Sequence, residues 1–317
     1  MKKVYIILFL FIFVMTGCAG NVSKNKTIDI AKIKETHKEI TIGVSLLSLQ
    51  LQFYRDLKEG LEKTATDYGI KIKIYDSTLD LNKQIHDMEK MIADGVQGII
   101  LSPVDSKGVT EVVNKAKAAH ISVVTVDTAA DGAKVDSHIG SDNVLGGRLA
   151  GEYAVKLMGK KGNIAILNHD VVAAVLDRVK GFEEAIAKYP DIKIVANKDG
   201  GGMREMASLV TSEIIDAHPN IDLIYAINDD SLIGAVSTLE GTELSRKVSL
   251  ISYDATPYQQ ELIKQGKMLK ASIVQFPKEM GRESVETMLR LIDGQKVGEK
   301  VLVEVGILDK NGVKVIR

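Results

Sequence analysis

The sequence has little that would cross-link it or hold a thiolate-bound metal. It contains one cysteine, Cys18, among 317 residues. A single cysteine excludes a disulfide within the chain and a cluster of thiolate ligands around a metal ion. The net charge is also small, because 41 basic and 42 acidic residues leave a formal value of −1. That balance gives no electrostatic reason to expect nucleic acid as a partner.

Motifs of the common enzyme classes are also absent. There is no Gly-x-Gly-x-x-Gly after the first predicted strand, no Gly-x-x-x-x-Gly-Lys, no His-Glu-x-x-His and no Gly-x-Ser-x-Gly. Six histidines are scattered without metal-ligand spacing, and His169-Asp170 has no identified third partner for acid–base chemistry. Gly200-Gly201-Gly202 could hold an anion, but without a lysine partner a flexible turn before the next helix is preferred. We therefore expect no enzyme, no metal site and no cofactor.

An uncharged run stands at the start of the sequence. Val4–Met15 carries no charge and follows Lys2 and Lys3. This order is typical of a secretory signal, and the run is too short to span a bilayer comfortably. The stretch that ends at Gly17-Cys18 resembles the lipobox of bacterial lipoproteins, with Met15 where leucine is usual.

The lipobox resemblance implies that residues 1–17 are a signal peptide that is removed and that Cys18 carries a lipid. Residues 18–38 are polar and rich in lysine, so we expect a flexible tether between the lipid and the folded body. The chain would then be anchored in the cell membrane, at its extracytoplasmic face. The alternative is a plain signal peptide followed by an incidental cysteine.

From Glu39 onward, apolar β-branched segments alternate with amphipathic ones. Such alternation predicts right-handed βαβ units, with helices on both faces of a parallel sheet. The pattern occurs twice, on either side of Ser137–Asn143, which we expect to be a short polar crossing with Asn143 as the cap of the next helix. Two strands, Val301–Val305 and Val313–Ile316, are predicted at the end. The length agrees with two domains, so the predicted fold class is α/β with two doubly wound parallel sheets.

Polar side chains follow several predicted strands, at the edge where open α/β sheets bind ligands. They are Asp127 after Ile121–Val126, Asn228-Asp229-Asp230 after Ile227, Asp254 after Tyr253 and Gln275 after Val274. Phe53 and Tyr54 open the first helix opposite them. Carboxylates and amides hold hydroxyl groups, and aromatic rings pack on the C–H faces of a sugar. The alternative for each aspartate or asparagine is that it caps the following helix.

Several segments together resemble the ribose/galactose family of periplasmic sugar-binding proteins, over about Glu39–Arg317. They are Asp76-Ser77, Leu101-Ser102-Pro103-Val104-Asp105, Val126-Asp127, Ile139-Gly140-Ser141-Asp142-Asn143-Val144-Leu145-Gly146-Gly147, Ala217-His218-Pro219, Ala226-Ile227-Asn228-Asp229-Asp230, Tyr253-Asp254-Ala255-Thr256-Pro257 and Gln275-Phe276-Pro277. The resemblance implies a type I periplasmic-binding-protein fold, whose two domains are joined by a three-segment hinge near Ser141–Asn143, Gln275–Pro277 and Val303–Gly306. The N-terminal domain would comprise residues 39–142 and 276–304, and the C-terminal domain residues 143–275 and 305–317.

The same resemblance implies which residues contact the ligand. Phe53 and Tyr54 would stack on it, and its hydroxyls would meet Asp127, Asn228, Asp254 and Gln275. Thr128 and Leu176 also stand at ligand-contact positions, where a ribose-type binder would carry arginine. Such a binder would further have asparagine in place of Leu51 and an aromatic residue in place of Gly202. With fewer donors, the site should bind ribose poorly and favour a ligand with an apolar edge near Leu176.

The implied function is that of a solute-binding lipoprotein that closes on a small sugar or polyol and delivers it to an ABC permease. One alternative is a co-receptor that presents its closed form to a histidine kinase or chemoreceptor, and the sequence does not separate the two. An enzyme on the same scaffold is disfavoured because no catalytic constellation is found. A sugar-responsive transcription factor would need a DNA-reading helix pair where the signal segment lies.

Overall fold

A computed structural model of the chain describes residues 27–36 and 39–316. Its helices are α1 (Ile30–Thr36), α2 (Gln52–Tyr68), α3 (Leu81–Ala93), α4 (Thr110–Ala118), α5 (Asn143–Leu157), α6 (Ala173–Ile186), α7 (Arg204–Ala217), α8 (Asp229–Leu239), α9 (Pro257–Lys264) and α10 (Pro277–Ile292). Its strands are β1 (Thr41–Leu46), β2 (Lys71–Asp76), β3 (Gly98–Leu101), β4 (Ser122–Val126), β5 (Ser137–Ser141), β6 (Gly162–Asn168), β7 (Ile192–Asp199), β8 (Leu223–Ala226), β9 (Ser249–Asp254), β10 (Leu269–Val274), β11 (Lys300–Val303), β12 (Val305–Asp309) and β13 (Gly312–Ile316). A short 3-10 helix, Glu243–Arg246, lies between α8 and β9.

The strands form two sheets, and each sheet is the centre of one lobe. The first lobe has six parallel strands in the order β11-β5-β4-β3-β1-β2. The second lobe has seven strands in the order β13-β12-β10-β9-β8-β6-β7, parallel from β10 to β7 and antiparallel at β12 and β13. Helices α2, α3, α4 and α10 belong to the first lobe and α5 to α9 to the second. The predicted fold class, two α/β domains built on parallel sheets, is confirmed.

The sequence forms these elements because their apolar residues recur with the period of each structure. All four residues of β3 and all four of β8 are buried, as expected for strands covered by helices on both faces. On α2, Leu57, Leu61 and Ala65 are buried at intervals of four residues. Burial of one such leucine contributes about 1.5–3 kcal/mol. The helix ends at Gly69, whose left-handed φ of +60° lets its N–H reach Thr66 O at 3.0 Å.

The chain passes between the lobes three times. It leaves the first lobe after β5 at Asp142, returns after β10 at Gln275 and Phe276, and leaves again after β11 at Glu304. Each crossing lies at the carboxyl end of a strand, and the neighbouring parallel strands end at the same edge of their sheet. The carboxyl edges of the two sheets therefore face a common cleft, where a ligand of an open α/β sheet is expected.

The first crossing is shorter than predicted. Ser137–Ser141 is strand β5, paired with β4 and β11 around the buried Ile139. Asp142 caps α5 by accepting the Leu145 N–H at 2.9 Å, and Asn143 is the first helical residue. The prediction that Asn143 is the cap was wrong by one residue, because aspartate and asparagine both cap helices and the two adjoin here.

The third crossing divides a segment that was predicted as one strand. Within Val301–Val305, the residues up to Val303 belong to β11 in the first sheet, and Val305 begins β12 in the second. Glu304 lies between them. A β-type pattern does not reveal this change of sheet, because the chain is extended on both sides of it. The predicted final strand corresponds to β13, which pairs antiparallel with β12.

Part of the predicted tether is folded. Residues 30–36 form α1, and Ile33 is 2% exposed within the main core. Lys32 forms an ion pair with Asp293, directly after α10. Ile30 and Ile33 are one helical turn apart, so their apolar side chains lie on one face of α1. This single turn of apolar spacing stands among polar and lysine-rich residues, which is why the prediction missed it.

The predicted signal peptide, residues 1–17, and the predicted lipid-bearing Cys18 lie outside the described residues. Among residues 27–36 and 39–316, no helix is both long enough and apolar enough to cross a membrane. The lipid anchor stays a prediction.

Candidate ligand-binding cleft

The cleft lies between the lobes, at the carboxyl ends of their strands. The first lobe lines it with Leu47, Leu51, Phe53, Tyr54, Leu79 and Asp127, the second with His169, Val172, Ala174, Val175, Arg178, Gly201, Gly202, Ile227, Asn228, Asp229, Asp230 and Asp254, and the second crossing with Gln275. Carboxylates, an arginine, aromatic rings and aliphatic side chains therefore face one space. Two of the predicted ligand contacts, Thr128 and Leu176, are not in this lining.

Asp127 follows β4 and is held in an uncommon backbone conformation. Its φ is +67°, its N–H donates to Ile139 O at 2.8 Å, and its side chain is buried. Left-handed φ in a residue other than glycine costs free energy and is concentrated at functional sites. The Tyr54 hydroxyl donates to Asp127 Oδ2 at 2.6 Å and lies 3.1 Å from Ser102 Oγ. The backbone and Tyr54 thus fix the carboxylate at the cleft.

Burial sets the protonation behaviour of Asp127. It raises the pKa of this carboxyl to about 6, and the nearby Asp254 acts in the same direction. Arg178 and the hydrogen bond from Tyr54 oppose the shift without cancelling it. The ionised carboxylate therefore has fewer donors than it can accept, and ligand hydroxyl groups are suitable additional donors.

Arg178 was not predicted as a site residue, yet it lies in the floor of the cleft. It is 5% exposed, donates from Nε to Asn143 Oδ1 at 2.9 Å and from Nη1 to Ile227 O at 2.8 Å. Its guanidinium lies 3.9 Å from the centroid of the Tyr253 ring. Nη2 lies 4.0 Å from Asp127 Oδ1, across the boundary between the lobes. A ligand oxygen can meet this cationic group and the Asp127 carboxylate together.

Close packing of α5 on α6 positions Arg178. A Cβ added at Gly147 would lie 1.9 Å from Arg178 O, and one at Gly181 would lie 2.0 Å from Val144 O. Only glycine permits this approach. The backbone of α6 is thereby pressed against α5, where Asn143 accepts the hydrogen bond from Arg178 Nε.

Asp254 connects the second lobe with the crossings. Its Oδ2 accepts the Asp229 N–H at 3.0 Å, and its Oδ1 accepts a hydrogen bond from Gln275 Nε2 at 2.7 Å. Gln275 Oε1 in turn accepts the Ser141 hydroxyl hydrogen at 2.8 Å. The predicted ligand residues Asp254 and Gln275 both line the cleft, and they also join the first crossing to the second.

Asn228 lines the cleft, but its side chain serves the protein. Its Oδ1 accepts the Ser231 N–H at 2.9 Å as the cap of α8, and its Nδ2 donates to Gly202 O at 2.9 Å. The capping alternative is thus present at this residue. Asp229 is the further acid here: it accepts hydrogen bonds from Thr256 Oγ1 and Gln259 Nε2, and burial, with Asp254 nearby, raises its pKa to about 6.

Phe53 and Tyr54 both line the cleft from the start of α2. Their rings meet edge to face, with centroids 5.2 Å apart and planes at 79°. The phenol of Tyr54 is engaged by Asp127, so its ring orientation is fixed. Phe53 carries no polar group and offers only its ring to a ligand.

The two expected contacts outside the lining have other surroundings. Leu176 is 46% exposed, because the face of α6 toward the cleft carries Ala174, Val175 and Arg178 instead. No arginine stands at 128 or 176, as the sequence shows, but Arg178, two residues further along α6, brings a guanidinium into the cleft. Thr128 is fully buried, and its Oγ1 accepts the Ala174 N–H at 3.2 Å.

Three hydrogen bonds connect the rim of the first lobe to the start of α6; we call them the lobe-bridging bonds. Ser106 N–H donates to Val171 O at 3.1 Å, Ser106 Oγ accepts the Ala173 N–H at 3.0 Å, and Thr128 Oγ1 accepts the Ala174 N–H. Helix α6 has no capping bond from its own N-cap residue, Val172. Its first amides are satisfied by the opposite lobe, as a cap residue would satisfy them.

Sequence reasoning missed several lining residues, chiefly Arg178 and the aliphatic side chains. Arg178 follows Ala174 and precedes Phe182 at intervals of four residues, which places a charge on the buried face of the predicted helix. That interval was a usable signal. Among the described residues, no group of three or more histidine, cysteine, aspartate or glutamate side chains is arranged to hold a metal ion.

Comparison with known proteins agrees with this geometry. The model of a family described as "Periplasmic binding protein domain" matches residues 42–296. The chain belongs to the periplasmic binding protein family. The ribose import binding protein RbsB of Escherichia coli is 31% identical over 271 residues, which are 85% of this chain and 90% of that protein.

Solved structures of the family superpose on both lobes. An ABC transporter periplasmic solute binding protein from Actinobacillus succinogenes with bound D-allose is 32% identical, with a TM-score of 0.78 over 86% of this chain and 98% of that one. GanP, a glucose-galactose binding protein from Geobacillus stearothermophilus, is 25% identical, with a TM-score of 0.82 over 86% and 98% of the two chains. The type I periplasmic-binding-protein fold expected from the sequence is confirmed.

Proposed function

We propose that this protein captures a monosaccharide or a small polyol between its lobes, on the extracytoplasmic side of the membrane, and delivers it to an ABC permease. One observation carries the proposal: buried or half-buried carboxylates from both lobes, Asp127 and Asp254, face one cleft together with Arg178. A neutral hydroxyl group can donate a hydrogen bond to such a carboxylate, so the ligand need not carry a charge. The relatives named for ribose import and for bound D-allose support the same ligand class.

Different residues of the cleft contact different groups of the ligand. Asp127 and Asp254 accept hydroxyl hydrogens, and these charge-assisted bonds are stronger than neutral ones once water is excluded. Arg178 Nη2 donates to ligand oxygens beside Asp127. The rings of Phe53 and Tyr54 provide apolar surface for the C–H groups of a sugar. Asn228 already bonds to the neighbouring backbone, and Gln275 bonds to Ser141 and Asp254 between the crossings. The donors and acceptors that these two side chains have left contact the ligand.

Closure of the lobes completes the site. The lobe-bridging bonds form only when the rim of the first lobe meets the start of α6, and Arg178 reaches Asp127 only in that arrangement. The three crossings would act as the hinge, between a first lobe of residues 39–142 and 276–304 and a second of residues 143–275 and 305–317. A ligand that contacts both lobes binds the closed form better and shifts the population toward it. The permease then recognises the closed form.

A ligand screen tests this function. Thermal unfolding of the purified protein is measured against pentoses, hexoses and polyols, because a ligand that binds only the folded state raises the midpoint. At least one of these compounds should raise it, and calorimetry should then give a one-to-one complex. If only amino acids, peptides or metal ions raise the midpoint, the sugar assignment is wrong.

We also propose that Cys18 carries the lipid that anchors the protein to the membrane. The uncharged run before Gly17-Cys18 supports this assignment. Cys18→Ser should move the protein from the membrane fraction to the soluble fraction. Retention of this variant on membranes after a high-salt wash would contradict the proposal.

A further inference from the structure

The lining of the cleft changes character with distance from the crossings. In the second sheet, β10, β9 and β8 lie nearest the crossings and end at Gln275, Asp254 and Asn228-Asp229. In the first sheet, Asp127 follows β4, which adjoins the crossing strand β5. The side of the cleft next to the crossings is therefore polar and rich in hydrogen-bond acceptors.

The strands farther from the crossings provide apolar side chains. Leu47 and Leu51 follow β1, Leu79 follows β2, and Val172 and Val175 follow β6 on the opposite lobe. All except Leu79 are buried, and all five pack in one apolar cluster. We call these five residues the aliphatic wall. It contains contributions from both lobes, so it encloses one end of a ligand when the lobes meet.

His169, a polar residue of the lining, follows β6 directly and precedes Val172 by three residues. A Cβ at Gly202 would lie 2.9 Å from His169 Nδ1, so this nitrogen faces the loop after β7. Among the described residues of the lining, the five side chains of the aliphatic wall carry no donor or acceptor. A hydroxyl group placed against them would lose water without gaining a partner, which costs free energy.

Leu79 is held in the cleft at a conformational cost. Thr78 and Leu79 both have left-handed φ, +50° and +62°. The turn is secured by Asp76, whose Oδ1 accepts the Thr78 and Leu49 N–H groups, and by Leu79 N–H, which donates to Leu47 O at 3.0 Å. Glycine or asparagine would adopt this conformation at lower cost. The strained turn places the Leu79 side chain in the lining of the cleft, and strained residues are often found at functional sites.

We propose that the cleft selects a deoxy sugar: a monosaccharide whose ring hydroxyls meet the carboxylates near the crossings and whose terminal carbon is a methyl group against the aliphatic wall. This inference rests on the proposed function and narrows its ligand class. The acceptor-rich side receives hydroxyl donors, and the wall receives the end of the sugar that has none.

Matched pairs of sugars test the inference by calorimetry on the full chain. The pairs are D-ribose with 5-deoxy-D-ribose, D-allose with 6-deoxy-D-allose, and D-galactose with D-fucose, its 6-deoxy form. Within any pair that binds, the deoxy member should bind about tenfold tighter, the scale for one group in an apolar pocket. Leu79→Asn, which keeps the left-handed turn but adds an amide, should abolish or invert this preference. Leu79→Met, which keeps the site apolar, should retain it.

The outcomes separate the inference from the proposed function. If a hydroxylated sugar binds as tightly as its deoxy partner or tighter, the wall only excludes water and the inference is overturned, while sugar binding stands. If Leu79→Asn folds with a normal unfolding midpoint and keeps the deoxy preference, the wall does not set it and the inference is equally overturned. If neither member of any pair binds and the wider screen finds no sugar, the proposed function fails and the inference with it.

Discussion

Asp127 and Asp254 occupy corresponding places in the two lobes, yet their carboxylates have different neighbours. Each stands at the carboxyl end of a central strand with positive φ, +67° and +89°. Asp254 is bound on both oxygens by the protein, through the Asp229 N–H and Gln275 Nε2. Asp127 accepts one hydrogen bond from Tyr54, and its other oxygen lies 4.0 Å from Arg178 of the opposite lobe.

The carboxylate of Asp254 is thus paired within the protein, whereas the carboxylate of Asp127 has acceptor capacity left for a ligand. Asp254 is a ligand residue and also part of the frame that joins the crossings. Asp127 is incompletely paired, and burial raises its pKa to about 6. The strength of ligand binding should therefore depend mostly on Asp127, and the stability of the empty protein mostly on Asp254.

The largest expected effect follows from removing the charge of Asp127 or the charge of Asp254. Asp127→Asn should weaken sugar binding by about 2–4 kcal/mol, the scale for a lost charged hydrogen bond in a closed site. Its unfolding free energy should stay level or rise, because a neutral amide is easier to bury. Asp254→Asn, the matched control, should weaken binding and also lower the unfolding free energy, by about 1–2 kcal/mol.

Calorimetry and urea unfolding of these two variants check the contrast. Full affinity in Asp127→Asn would show that the ligand does not meet this carboxylate. Equal losses of stability in both variants would remove the distinction between them.

An intermediate effect is expected at the lobe-bridging bonds, which lie outside the ligand contacts. The double variant Ser106→Ala, Thr128→Val leaves the first amides of α6 without partners only when the lobes meet, since water reaches them in the open form. We expect binding about tenfold weaker, on the scale of one to two neutral hydrogen bonds, with the unfolding midpoint of the ligand-free protein nearly unchanged.

Ser272→Ala is the control for these bonds. Ser272 Oγ accepts the Ala255 N–H at 3.0 Å within the second lobe, so the same chemistry is lost without any bridge between lobes. This variant should lower stability and keep its affinity. If the double variant binds as the wild type does, the bridging bonds contribute nothing to closure.

The smallest effect concerns pH, and it has opposite signs for binding and for stability. Ligand hydroxyls favour the ionised carboxylate, so affinity is complete above the free-state pKa of about 6 and falls as pH decreases through it. For one group, the loss between pH 7 and 5.5 is about fourfold. Burial has raised the folded-state pKa above its unfolded value, so protonation of Asp127 adds stability to the empty protein over the same fall in pH.

Titrating wild type and Asp127→Asn across this range separates the contributions. The variant should retain only the weaker dependence due to Asp229, whose pKa is also raised to about 6. An unchanged pH dependence in the variant would assign the titration to another group.

The fold was predictable from the sequence because long-period patterns determine it. Alternating apolar segments specify the βαβ units, and the family segments around Asp127, Asn143 and Asp254 specify the two-lobed arrangement. The exact start of a helix and the sheet to which a strand belongs were less predictable. Asp142 and Asn143 are both good caps, and an extended stretch such as Val301–Val305 does not reveal on which sheet each residue pairs.

The site was partly predictable for the same reason. Strand ends identify Asp127, Asp254 and Gln275, since their positions follow from the sheet. At the start of α6, the expectation at Leu176 came from the family resemblance. The spacing of four residues from Ala174 to Arg178 and Phe182, which places Arg178 on the buried face, was not used. Thr128 was expected to contact the ligand, but its hydroxyl oxygen accepts the Ala174 N–H of the other lobe. The sequence does not reveal this contact, because the two residues are far apart in the chain.

Small-angle X-ray scattering tests the central claim, capture by closure of two lobes, most directly. Profiles are recorded for the ligand-free protein and for protein saturated with the tightest sugar from the screen, with saturation verified by calorimetry. The radius of gyration should decrease on binding, and the same sugar should produce less of the decrease in the Ser106→Ala, Thr128→Val variant at equal saturation. A radius of gyration that is identical with and without bound sugar would contradict capture by closure.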